Sequence, residues 1–80
     1  MRIEALYFAH LKDVLKEDRE MFELSAGSTV SDLLQKIKTR CEEPLDSLNL
    51  KTAVNEEFVE LDYPLADGDR VAFLPPVSGG

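Results

Sequence analysis

The stretch TVSDLLQKIKTRC, Thr29 to Cys41, decides the fold. Val30, Leu33, Leu34, Ile37 and Cys41 recur at i, i+3, i+4, i+7 and i+11, which is the stripe of an amphipathic helix with one apolar side. Thr29 with Asp32 three residues on has the spacing of a capping box. Lys36, Lys38 and Arg40 collect at the other end, where the helix dipole is negative. The helix is therefore expected from Thr29 to about Arg40, with Pro44 as its stop. A single apolar face has to be covered, and the rest of the chain is rich in strand signals that can cover it.

Arg2 to Phe8 combines alternation with the β-prone residues Ile3, Tyr7 and Phe8 and predicts a strand near the sheet centre. Glu20 to Leu24 predicts a second strand, closed by Ser25, Ala26 and Gly27. Thr52 to Asn55 and Phe58 to Leu61 read as short strands around a Glu56, Glu57 turn. Tyr63-Pro64-Leu65 then leads into the Asp67-Gly68-Asp69 turn, and Arg70 to Leu74 forms the last strand. Ala9 to Lys16 reads as a short helix or a turn, and Leu45 to Leu50 as a helical turn or a loop. The fold class is α+β, a sheet packed on one main helix, because each layer supplies one apolar side. Residues 1–74 form the domain and 75–80 an extended tail.

The period of two along strands sorts their side chains. Ile3, Ala5, Tyr7, Val59, Leu61, Val71 and Phe73 are expected to face the helix. Phe8, Phe58 and Leu74 share the opposite face with Arg2, Glu4, Glu60, Arg70 and Ala72. That face reads either as an apolar patch for a protein partner or as ordinary scattered surface residues.

Composition limits the function. The 80 residues carry 9 Lys+Arg against 16 Asp+Glu, a net charge of −7, which argues against a nucleic-acid backbone or an anionic membrane as partner. With 44% hydrophobic and 31% charged residues the chain has globular composition. No apolar run nears the roughly 18 residues of a membrane span, and Glu4 interrupts a signal-peptide core, so a cytoplasmic protein is expected. Glycine occurs only at positions 27, 68, 79 and 80, which leaves no Walker A loop or dinucleotide fingerprint. His10 and Cys41 are the only residues of their kinds, so a zinc set cannot be built from them and no metal site is expected. Cys41 belongs to the helix stripe and reads as core, His10 as turn or surface, and Glu42-Glu43 and Glu56-Glu57 as solvated charge. Asp67-Gly68-Asp69 lacks the rest of a calcium loop and reads as a turn.

The tail carries the remaining signal. Pro75 and Pro76 fix φ and remove donors, so Pro75-Pro76-Val77-Ser78-Gly79-Gly80 is expected to leave the sheet as a stiff extended segment reaching on the order of 15 to 20 Å. Gly79 and Gly80 carry no side chains and can thread a narrow channel. The Gly80 carboxylate is ionised at neutral pH and is an oxygen nucleophile. A frayed end is the plain alternative.

Leu6-Tyr7-Phe8-Ala9, Ala53-Val54-Asn55, Pro64-Leu65, Asp67-Gly68-Asp69-Arg70-Val71-Ala72-Phe73 and the Pro75 to Gly80 tail together resemble the small, sulfur-carrier subunits of molybdopterin synthase. The resemblance spans nearly the whole chain, with residues 10–28 and 39–51 matching in outline. The Gly-Asp-x-Val turn and the terminal Gly-Gly are shared with thiamin sulfur carriers, whereas Pro-Pro-Val before them discriminates. Leu74 stands where an aromatic residue is common in the family, and Ser78 where Ala or Thr is.

That resemblance implies a ubiquitin-like β-grasp fold with a mixed sheet. It implies that Gly80 is adenylated by an E1-like activating enzyme using ATP and is converted to a thiocarboxylate by a sulfur donor protein. The tail, Pro75 through Gly79 leading to Gly80, would then enter the large synthase subunit and donate sulfur to a pterin precursor. Phe8, Phe58 and Leu74 would dock the partners. The domain would bind no cofactor and would be a non-catalytic subunit. A thiamin-type carrier, a ubiquitin-like protein modifier and an interaction module with an inert tail are the alternatives.

Overall fold

The structure, a computed structural model, describes residues 1–41 and 50–74. Among the described residues five strands and two helices follow in the order β1 (Arg2–Tyr7), α1 (Ala9–Leu15), β2 (Arg19–Glu23), α2 (Val30–Lys38), β3 (Lys51–Val54), β4 (Glu57–Val59) and β5 (Arg70–Leu74). They form one sheet in the order β2-β1-β5-β3-β4. β5 runs parallel to β1 and antiparallel to β3, and the outer pairs β1·β2 and β3·β4 are antiparallel. The sheet is therefore mixed, and β5 is bonded on both sides at its centre.

The helix stripe does what its spacing predicts. Val30, Leu33 and Ile37 are buried, and Leu34 and Cys41 pack partly buried against the core. The capping box is complete: Asp32 N–H donates to Thr29 Oγ1 (3.3 Å), and Thr29 N–H donates to Asp32 Oδ2 (2.8 Å). The helix ends at Lys38, earlier than Arg40. The Thr39 hydroxyl donates to the Lys36 carbonyl (2.7 Å), and the N–H groups of Arg40 and Cys41 reach back three residues, to Ile37 and Lys38, so the winding tightens there. The expected stop at Pro44, the Glu42-Glu43 pair and the Leu45 to Asn49 stretch lie outside the described residues.

Ile3, Ala5 and Tyr7 of β1 and Val71 and Phe73 of β5 are buried, with Val59 packed partly buried beside them, as their parity requires. α1 settles the ambiguity of Ala9 to Lys16 in favour of a helix, with Leu11 and Leu15 buried. Lys16 (φ 60°) stops it in the left-handed conformation. β2 begins one residue earlier than expected, at Arg19.

Leu61 is a correction. It does not join the core but is 46% exposed, because β4 ends at Val59 and the alternation ends with it. Beyond Val59 the backbone serves the helix: the Leu61 and Tyr63 carbonyls accept the N–H groups of Ser31 (2.8 Å) and Val30 (3.0 Å), donors that a helix start leaves unpaired. The hairpin turn is also one residue earlier than expected. Asn55 (φ 49°) and Glu56 (φ 74°) form it between the paired residues Val54 and Glu57, the two-positive-φ pattern of a tight hairpin that matches the sheet twist.

Candidate functional site

β5 is the last described strand and lies at the centre of the sheet. Its start is fixed by the Asp67-Gly68-Asp69 turn, where Gly68 takes φ 86°, a conformation glycine adopts without Cβ strain. Asp67 Oδ1 accepts the Arg2 N–H (2.7 Å), and Gly68 N–H donates to the Arg2 carbonyl (2.8 Å). Asp69 Oδ2 accepts the Ala66 N–H (2.8 Å), and its Oδ1 accepts the Asn55 side-chain amide (3.0 Å). Asn55 Oδ1 in turn accepts the Arg70 N–H (3.1 Å). One end of β1, the β3–β4 hairpin and the start of β5 are thus stitched together. The turn reading of Asp67-Gly68-Asp69 holds, and Asn55 is its partner.

β5 then carries the chain to the opposite end of the sheet. Phe73 faces inward, fully buried, with its ring centroid 6.4 Å from that of Tyr7. The Tyr7 hydroxyl donates to Glu20 Oε1 (2.8 Å), and Glu20 also pairs with Arg40. Burial pushes the Tyr7 phenol up to about 12, against the opposing pull of the Arg40 guanidinium. This closed polar group ties the end of α2 to β2 beneath the sheet, and its chemistry is structural.

The outer face divides in two along the strands. Toward the Asp67 turn it is ionic: Arg70 and Arg19 approach Glu4 (2.9 and 3.8 Å), and Arg2 approaches Glu23 (3.5 Å). Toward the end where β5 finishes it is apolar. The register places Leu6, Ala72, Ala53 and Phe58 side by side across β1, β5, β3 and β4, with Leu74 next along β5 opposite Lys51. Phe58 is 72% exposed, and Leu74 is half-buried.

Phe8 lies one residue beyond β1 as the N-cap of α1, but its backbone stays extended (φ −132°, ψ 153°) and it is 43% exposed. It lines a shallow depression of about 450 Å³ with Leu6, Lys12 and Arg19. Phe8 and Phe58 therefore flank the face at opposite sides, about 14 Å apart across the strands at three strand spacings, with Phe8 two residues further along than the row that holds Phe58. Leu74 lies between them. Ala72 was expected on this face from its parity with Leu74, and the apolar members that sequence reasoning missed are Leu6 and Ala53. Leu6 shares the parity of Glu4 and Phe8 and was legible. Ala53 was not, because its side of the sheet follows only from pairing with Ala72.

The expected tail residues Pro75, Pro76, Val77, Ser78, Gly79 and Gly80 lie outside the described residues. Among the described residues no three His, Cys, Asp or Glu side chains gather as a metal set, and no helix is long and apolar enough to cross a membrane. His10 is exposed on α1, and Cys41 is a half-buried free thiol.

Comparison with known proteins adds four findings. The ThiS family model matches residues 5–80. The molybdopterin synthase sulfur carrier subunit of Chlamydomonas reinhardtii is 41% identical over 85 residues, covering all of both chains. Among solved structures, a putative molybdopterin converting factor subunit 1 from Pyrococcus furiosus superposes with a TM-score of 0.86 at 32% identity, covering 96% of this chain and 99% of that one. One chain of a complex of subunits 1 and 2 of the molybdopterin-converting factor from Helicobacter pylori superposes with a TM-score of 0.70 at 26% identity, covering all of this chain and all of that one.

Proposed function

We propose, from the premise that the chain belongs to the ThiS family, that it is the sulfur carrier of a molybdopterin synthase, with Gly80 as the group that carries sulfur. The observation that carries the reading is the Pro75-Pro76-Val77-Ser78-Gly79-Gly80 sequence following the central strand, beside an apolar face. A carboxylate is a poor electrophile. Attack of the Gly80 carboxylate on the α-phosphate of ATP, held by an activating enzyme, releases pyrophosphate and makes a glycyl-adenylate. A persulfide sulfur then attacks the Gly80 carbonyl and expels AMP, and reduction of the resulting acyl disulfide by a thiol leaves the thiocarboxylate. In the large subunit that sulfur passes to the pterin precursor, and a carboxylate is regenerated.

The domain is the non-catalytic partner in this scheme. It takes no cofactor of its own, and ATP is consumed by the activating enzyme. The large subunit, the activating enzyme and the sulfur donor are its partners, and a cytoplasmic setting follows. A large-subunit partner is supported by the solved two-subunit complex to which the chain is similar. The outer face supplies their docking surface: Phe8, Leu74 and Phe58, with Leu6, Ala53 and Ala72 between them, surround the end of β5 from which residues 75–80 continue. The full-length likeness to a molybdopterin carrier favours this reading over a thiamin-type carrier or a protein modifier.

Intact-mass measurement tests the chemistry. After incubation with the activating enzyme, ATP and a sulfur donor, the chain should gain one sulfur in place of one oxygen. A variant with one residue appended after Gly80 should gain none. Equal sulfur uptake by the extended variant would overturn the mechanism.

A further inference from the structure

β2 is an outermost strand of the sheet, and its edge, open among the described residues, is patterned in a way that the carrier reaction does not use. Leu24 N–H donates to the Met1 carbonyl (2.8 Å), the Met1 amino group donates to the Leu24 carbonyl (2.6 Å), and Tyr7 N–H donates to the Asp18 carbonyl (2.9 Å). In an antiparallel ladder such pairs alternate. Glu20 and Phe22 therefore turn their backbone groups toward β1, while Arg19, Met21 and Glu23 turn theirs to the open edge. The side chains of these three residues also share the outer face, opposite Leu6, Glu4 and Arg2. Met21 is 53% exposed, and Arg19 and Glu23 are more exposed still.

We infer that the β2 edge pairs with the β2 edge of a second copy of this chain, antiparallel about a two-fold axis at Met21, to make a continuous ten-strand sheet. The pattern selects this register. With Met21 opposite Met21, Arg19 of each copy lies opposite Glu23 of the other, and all three edge-facing residues form hydrogen-bonded pairs. A two-fold at Arg19 would oppose two guanidinium groups, and one at Glu23 would oppose two carboxylates. Centring on Glu20 or Phe22 loses both ion pairs and one hydrogen-bonded pair, and at Glu20 it also apposes two carboxylates. Charges on an edge strand ordinarily block strand addition. Here they are antisymmetric about Met21, so they block the other two-fold registers and complete this one.

The existing contacts do not stand in the way. Glu23 and Arg2 are both exposed, and Arg19 is the exposed member of its pair with the largely buried Glu4, which keeps Arg70 as a partner when Arg19 turns to the second copy. The strand is five residues long, so the interface is small and the association weak, suited to high local concentration. The two β5 strands run in opposite directions in the pair, and their C-terminal segments start from opposite ends of the joint sheet.

Sedimentation equilibrium on the full chain, up to about 1 mM in about 0.15 M salt where net repulsion is screened, tests the proposal. The wild type should show a monomer–dimer equilibrium. Arg19→Glu and Glu23→Arg should each weaken it at least about tenfold, because two symmetry-related pairs turn from attraction to repulsion. An equimolar mixture of the two variants should recover the dimer as a heterodimer, since glutamates at both positions of one chain meet arginines at both positions of the other. Unchanged melting curves confirm that each variant is folded. A wild-type chain that is monomeric throughout, or variants whose mixture associates no better than either alone, would overturn it.

Discussion

Phe73 and Leu74 are adjacent in β5 and should respond to truncation in opposite ways. Phe73 is fully buried on the central strand, in register between Tyr7 and Thr52, with its ring against Tyr7. Phe→Ala at such a site costs about 3 to 5 kcal/mol. An 80-residue domain has a total stability of about 4 to 12 kcal/mol. At about 4 to 8 °C per kcal/mol for this size, Phe73→Ala should lower Tm by at least about 12 °C and can leave the domain substantially unfolded. Leu74 is half-buried on the outer face, and Leu74→Ala should cost about 1 kcal/mol, a Tm drop of under about 8 °C. Its effect should appear in binding instead, as a loss of about fivefold or more in affinity for the large subunit, the size expected of an anchor worth more than about 1 kcal/mol. Calorimetry of the two variants, with titration of Leu74→Ala into the large subunit, makes the comparison. If Leu74→Ala unfolds the domain and Phe73→Ala spares it, the inward and outward faces of β5 are assigned the wrong way round and the docking surface goes with them.

Gly79→Val should collapse sulfur transfer while Tm stays within about 2 °C, since a branched side chain restricts the tail without touching the core; a large fall in Tm would mean that the tail packs on the domain. Tyr7→Phe should change the alkaline limb of stability. The folded phenol titrates near 12 and the unfolded one near 10, so its contribution is fully present below about pH 10 and is lost as pH rises toward 12. Denaturant melts should therefore show the wild type losing stability faster than Tyr7→Phe across that window, and equal slopes would refute the assignment. Glu56→Gly should stabilise the hairpin by about 1 kcal/mol, because Glu56 holds φ 74° at a cost glycine does not bear; a destabilised variant would mean that the Glu56 side chain makes a compensating contact.

Several residues that carry the family resemblance serve the platform rather than the reaction. Asn55, Asp67, Gly68 and Asp69 form one hydrogen-bonded knot at the end of the sheet remote from Leu74. Tyr7 anchors β1 to β2 and α2 through Glu20 and Arg40. Both devices hold the central strand, the first at its start and the second through the Tyr7 ring beside Phe73.

What the sequence determined by itself was whatever depends on local period and local chemistry. The 3.6-residue stripe from Val30 to Cys41 identified α2 and its buried face, the Thr29 and Asp32 spacing its cap, and the alternation in β1 and β5 the inward set Ile3, Ala5, Tyr7, Val71 and Phe73. The Pro75 to Gly80 sequence carried the most specific part of the family resemblance, and the proposed Gly80 chemistry rests on that resemblance rather than on any element of the fold. What only the tertiary structure decided was how segments distant in sequence meet. Ala53 beside Ala72, Asn55 beside Asp69 and Glu20 between Tyr7 and Arg40 are pairings that no local pattern encodes. Leu61 shows the reason most directly. Its alternation favoured the core, but the first N–H groups of α2 needed acceptors, and the backbone from Leu61 to Tyr63 left the sheet to supply them. Periodicity records which side of an element prefers to be dry, whereas register and strand ends are set by hydrogen-bonding groups that must be satisfied elsewhere in the molecule.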